Sequence, residues 1–247
     1  MSTPFTRGPG RQRIHATLTI LLVFLNLCGI EASWAKSRPL DVIATRAREI
    51  QSDWARVFYE APRETQGTQY GKLLERIREL KQENPTRAEP LIVEAIILCT
   101  YSAASLGLDT IDLLETARDL LKESIRMDPH ALEGGAYVTL GNLYRRLPGW
   151  PILYGDRKLA KEYLSTGARL FPEGIDTNYF MGDFLLEEGD LSLAIPYLEK
   201  AQAAPLRPSL RISDEHVHLE AADALVEARA GRHRASDFFS LFTPSFR

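Results

Sequence analysis

The sequence predicts an all-α fold, a superhelix of antiparallel helix hairpins finished by a C-terminal capping helix. Three observations predict it. Apolar and small residues recur at helical spacing: Tyr137, Leu140, Gly141 and Tyr144 fall at i, i+3, i+4 and i+7, one face of a helix. Proline recurs where paired helical stretches end, at Pro85, Pro129, Pro172 and Pro205, because its missing N–H stops a helix. Nowhere beyond residue 35 do branched residues alternate as in a strand. One hairpin cannot bury its own apolar face, so it needs neighbouring copies.

Residues 1–35 read as a signal peptide. Arg7, Arg11 and Arg13 form a basic start, an apolar run spans Ala16 to Ile30, and Ser33-Trp34-Ala35 has small residues at the cleavage positions. The run is shorter than the roughly 20 residues of a bilayer span. A periplasmic protein with no membrane span after cleavage is expected, or a membrane-anchored one if the leader stays. Lipidation at Cys28 fits poorly, because Leu27 is not small. The leader is basic, so the remainder is slightly more acidic than the net −3 of the whole chain. That balance argues against nucleic acid as a partner. Cys99 is left as the single thiol in an apolar stretch, so no internal disulfide forms and a buried, inert thiol is expected.

Residues 36–231 form the repeat domain. Pro39 to Tyr59 reads as a helix with Leu40, Ile43, Ala47, Ile50, Trp54 and Phe58 on one side. Ala61 to Thr68 reads as a polar loop, and Gln69 to Glu83 as the partner helix, ended by Asn84-Pro85. Glu89 to Ser105 is a strongly apolar helix, with Leu106 to Asp109 as its turn. Asp109 or Asp112 caps the next helix, which carries Leu113, Leu114, Ala117, Leu120, Leu121 and Ile125 and stops at Asp128-Pro129.

The central hairpin follows. After the Tyr137–Tyr144 face, Leu147-Pro148-Gly149-Trp150-Pro151 stops the first helix. Asp156 caps the second, with Leu159, Ala160, Tyr163, Leu164, Gly167 and Ala168 inward. In the next hairpin Tyr179, Met181, Gly182 and Leu185 open, Gly189-Asp190 turns, and Ala194, Leu198 and Ala201 close. Gly141, Ala160, Gly182 and Ala194 are the expected positions of closest helix approach. Ser213 or Asp214 caps a final helix running to Arg229. The tail, residues 232–247, holds Phe238, Phe239, Leu241, Phe242 and Phe246, and either packs back or engages a partner.

The spacing from Ala160 to Ala194 and from Pro172 to Pro205 gives a period near 34. The stretch around Gly182, Gly189, Asp190, Ala194 and Ala201 resembles the tetratricopeptide (TPR) repeat. Asn178 stands where that family has its early tryptophan, and the central hairpin carries extra residues in its turn. The resemblance implies a right-handed superhelix whose first helices line a concave groove. Its groove positions fall on Val138, Asn142 and Arg145, then on Asp176, Tyr179, Asp183, Leu186 and Glu187. A narrower resemblance covers roughly residues 88–205. The insert Pro148 to Asp156, PGWPILYGD, is similar to the Pro-containing, Gly-Asp-ending insert of TatT, the T-component of TRAP transporters. It implies association with a transporter's substrate-binding protein, or with an apolar small ligand.

No HExxH, P-loop or GxSxG occurs, and no catalytic constellation or cofactor site is found. His216 and His218, two residues apart on a helix, do not share a side, so a surface position is expected rather than a metal site. Glu187-Glu188 reads as a solvated helix end. The expected function is therefore not catalysis but binding of a protein or peptide partner. The candidate residues are Asn142, Arg145, Tyr179, Asp183 and Glu187 in the groove, with Trp150 and Tyr154 in the insert. The insert's four large apolar residues, Trp150, Ile152, Leu153 and Tyr154, are expected to pack against something, because exposing them costs roughly 25 cal/mol per Å².

Overall fold

Asp41 opens the first helix, its Oδ1 accepting from the amides of Ile43 and Ala44 at 3.2 and 3.1 Å. The structure, a computed structural model, describes Met1 and residues 41–105 and 109–234. Residues 2–40, 106–108 and 235–247, on which the expected leader, most of the expected Leu106–Asp109 turn and the aromatic tail fall, lie outside the described residues. Among those described there are nine α-helices and no strand.

The helices pair in sequence order. α1 (Val42–Glu60) packs on α2 (Arg63–Glu83), α3 (Glu89–Ser105) on α4 (Thr110–Met127), α5 (Gly135–Arg146) on α6 (Arg157–Leu170), and α7 (Ile175–Glu188) on α8 (Leu191–Ala203). α9 (Arg211–Arg229) covers the last hairpin. This is the predicted helical-repeat superhelix of four hairpins and a cap. The close-approach positions hold as well. A Cβ on Gly141 would lie 2.6 Å from Leu164, and one on Gly182 2.8 Å from Leu198. Ala160 and Ala194 are fully buried. Cys99 is buried too, and burial pushes its thiol up to about 12.

Two helix starts differ from the sequence reading, and one turn is unforeseen. α2 begins at Arg63, not Gln69. The reason is Gln66, whose amide donates to Val57 O and Ala61 O at 3.1 and 3.2 Å, so the expected loop is stitched into helix. α9 begins at Arg211. Neither Ser213 nor Asp214 caps it; Asp214 is buried and accepts from the amide of Arg207 at 2.6 Å. Before α5, Leu132, Glu133 and Gly134 all take left-handed conformations, at φ 45°, 53° and 87°. That costs energy at the two residues with a Cβ. Glu133 is held there by Arg48 at 3.0 Å and Arg207 at 3.5 Å.

The larger difference is closure. The first helices of the hairpins, α1, α3, α5 and α7, each touch the next, α7 touches α9, and α9 returns to α1. At that seam the ring of Tyr59 stacks on His216, centroids 4.0 Å apart and nearly parallel. Trp54 on α1 donates to Thr100 on α3 at 3.0 Å. The inner face is a packed layer rather than an open groove. His216 is consequently half-buried in the seam, and His218 is half-buried as well, so neither takes the expected surface position.

Candidate functional site

Two regions hold the predicted site residues. The first is a charged layer between α5 and α7. Arg145 stands near the end of α5 with its side chain 0 % exposed. Its guanidinium donates through Nη2 to Asp183 Oδ2 at 2.6 Å and through Nε to Glu187 Oε2 at 2.7 Å. Asp183 and Glu187 are one turn apart on α7, so both face the same cation. Arg146 adds a contact to Glu187 Oε1 at 2.7 Å. Arg157, from the start of α6, donates to Glu188 at 2.7 Å. The Glu187 side chain is 1 % exposed, which corrects its reading as a solvated helix end.

Burial disfavours charge on Arg145, but Asp183 and Glu187 outweigh it and hold the guanidinium above its ordinary value. Arg146 shifts the other way, because burial and the neighbouring Arg145 both penalise its charge. For Asp183, burial pushes the carboxyl up, while Arg145, Arg234 and Arg146 together bring it below its ordinary value. Tyr179 is buried on the same helix, and burial followed by the Asp183 charge pushes its phenol well up. Asn142 is buried apart from this set and donates to Val138 O of its own helix at 3.1 Å.

The structure thus brings Arg145, Tyr179, Asp183 and Glu187 together, but inside the protein rather than along an open groove. Arg146, Arg157 and Arg234 complete the layer and escaped the sequence reading. One signal pointed to them. Two carboxylates at i and i+4 on an inward helix face need cations from neighbouring helices.

The second region is the insert, residues 147–156. Its neck is tight: Gly155 N donates to Pro148 O at 2.9 Å and Asp156 N to Tyr144 O at 2.8 Å. A Cβ on Gly155 would lie 1.9 Å from Leu147 O, so only glycine fits there. Asp156 then caps α6 as predicted, accepting from Lys158 N at 2.8 Å. Tyr154 turns inward. It donates to Leu114 O at 2.7 Å, meets Tyr144 edge-on at 5.6 Å, and lies under Arg118 at 4.7 Å. Burial pushes its phenol up. Leu153 also packs on the core.

Trp150 and Ile152 do the opposite. Trp150 is 89 % exposed and Ile152 65 % exposed. The expectation that all four apolar residues pack is therefore right for Leu153 and Tyr154 and wrong for these two. Ile152 N and Leu153 N both donate to Gly149 O, at 3.2 and 3.4 Å, closing a turn that puts Trp150 and Ile152 on the outer side of the loop and leaves Leu153 and Tyr154 on the core side.

Two hollows, of about 380 and 400 Å³, open to solvent elsewhere. Neither is lined by Trp150 or Tyr154. Among the described residues no group of three or more His, Cys, Asp or Glu could hold a metal, and no helix is long and apolar enough to cross a membrane. Comparison with known protein families and with curated proteins finds no match.

Proposed function

We propose that the chain is an exported tetratricopeptide-type scaffold that docks a protein or peptide partner, with the insert at residues 147–156 as the main foothold. The observation that carries this reading is Trp150, 89 % exposed at the tip of a loop whose neck and flank are fixed. Exposed aromatics held on ordered loops lose little entropy on binding and bury much area, which is why tryptophan dominates many interfaces. Ile152 beside it enlarges the apolar knob. The repeat type is supported by the period near 34 and by the glycines packed against leucines at Gly141 and Gly182. The scaffold reading places the foothold on the insert and not in the groove, because the groove residues are engaged with one another. A TatT-like accessory holding an apolar ligand has less support, since neither hollow adjoins the insert's aromatics.

The test is site-specific photocrosslinking in the exporting cell. Trp150→p-benzoylphenylalanine is compared with the same replacement at exposed Lys161 on α6. A discrete protein adduct from position 150 alone, whose co-purification is lost in Trp150→Ala, is the expected result. Equal adducts at both positions, or none at 150, overturn the reading.

A further inference from the structure

Asp183 is approached from two directions. Arg145 and Arg146 reach it from α5, inside the repeat stack. Arg234 reaches it from the residues that follow α9. There Gly231 takes φ +72°, and Arg232 N donates back to Glu227 O at 3.0 Å, so the chain reverses over the end of α9. The Arg234 guanidinium then spans two helices. Its Nη1 donates to Asp183 Oδ1 at 3.0 Å and its Nε to Glu227 Oε2 at 2.6 Å.

The charges divide into an inner set and an added pair. Arg145 and Arg146 balance Asp183 and Glu187, and Arg157 balances Glu188. Arg234 and Glu227 remain. Removing a cation from a buried pair is costly when it strands a charge. Removing Arg234 strands none, because Asp183 keeps Arg145, and Glu227, with its side chain 34 % exposed, is reached by water. Arg234 is also the one member of the layer that lies outside a helix. An arginine on a non-helical segment occupies a carboxylate pair supplied by two helices, α7 and α9.

We propose that Asp183 and Glu227 form a guanidinium-binding site that the chain's own Arg234 fills in cis, and that an arginine-bearing peptide of a partner binds there by displacing residues 232–234. The site is separate from the Trp150 foothold and stands or falls without it. Its specificity is for arginine over lysine, because two carboxylates on different helices match the planar fork and not a point charge. A tethered occupant acts at an effective concentration in the millimolar range, so the resident arginine suppresses weak competitors.

The experiment uses the full chain and two fluorescent peptides. One has the sequence of residues 231–236, Gly-Arg-His-Arg-Ala-Ser; the other carries alanine in place of Arg234. Fluorescence anisotropy is measured with the wild-type protein and with Arg234→Ala. The variant is expected to bind the arginine peptide about tenfold or more tighter than the wild type does, by removal of the tethered competitor. It is also expected to prefer that peptide over the alanine one. Adding Glu227→Gln to the variant is expected to weaken binding. Equal binding of both peptides, or equal binding by variant and wild type, overturns the proposal. So does a variant that fails to fold, because Arg234 would then be a structural strut and not a displaceable ligand.

Discussion

The charged layer and the insert reverse the ordinary rule in opposite senses. Between α5 and α7, arginines and carboxylates sit where a helix stack has leucines. At the insert tip, tryptophan and isoleucine sit where a loop has polar residues. Scattered apolar residues on a surface mean little, but a buried charge or a concentrated exposed apolar group carries information. The layer shows charge used for internal fit, since a buried ion pair contributes little net stability yet tolerates few alternative arrangements. The insert shows rigid backbone used to keep an apolar side chain out of the core. The inner-face residues Arg145 and Glu187 are engaged with one another here, so the external loop is the better candidate for first contact, while Asp183 is also reached from outside the stack by Arg234.

Three substitutions probe that contrast, and the largest effect belongs to the layer. Arg145→Met keeps the apolar stem and removes the fork, leaving Asp183 and Glu187 buried with fewer donors. A loss of about 3–5 kcal/mol is expected in urea unfolding. A loss below about 1 kcal/mol would mean that water reaches the layer and that it is not an interior. Next comes the anchor of the insert. Tyr154→Phe removes the hydroxyl that donates to Leu114 O, with an expected cost of about 1 kcal/mol by thermal unfolding. The smallest effect is at the tip. Trp150→Ala is expected to change stability by less than about 0.5 kcal/mol, and a larger loss would show that Trp150 packs after all. The gap between the last two, measured side by side, locates the boundary between the structural and the presented halves of the loop.

Local chemistry was legible in the sequence, and long-range placement was not. The helix pairs, the Asp156 cap and the Gly141 and Gly182 approaches follow from spacing and residue size, which act within a few turns. The start of α2 was missed because Gln66, an ordinary polar residue, gives no sign that its amide will bind the preceding helix. Asn142 and Tyr179 lie buried on first helices rather than along an open groove, and Glu187, expected at a solvated helix end, has its side chain buried too, because a helix face cannot report how closely another helix covers it. The left-handed turn at Leu132 and Glu133 gave no warning beyond the Gly134-Gly135 pair, since neither residue favours that conformation. The expected packing of Trp150 and Ile152 fails for a related reason. Area arguments say what exposure costs, not whether the backbone allows it to be avoided.

The seam where Tyr59 stacks on His216 changes how such an array behaves as a whole. An open stack of repeats is modular: units can be added or removed, and the ends melt before the middle. Here the first helix and the last are each other's caps. Deleting one hairpin would shift the two ends out of alignment and expose both, so the repeat number is fixed by geometry. Joining residues so far apart in sequence also raises contact order, which slows folding. A closed array of this kind is expected to lose the end-first fraying of a linear one, which hydrogen exchange in α1 and α9 as slow as in α5 would show.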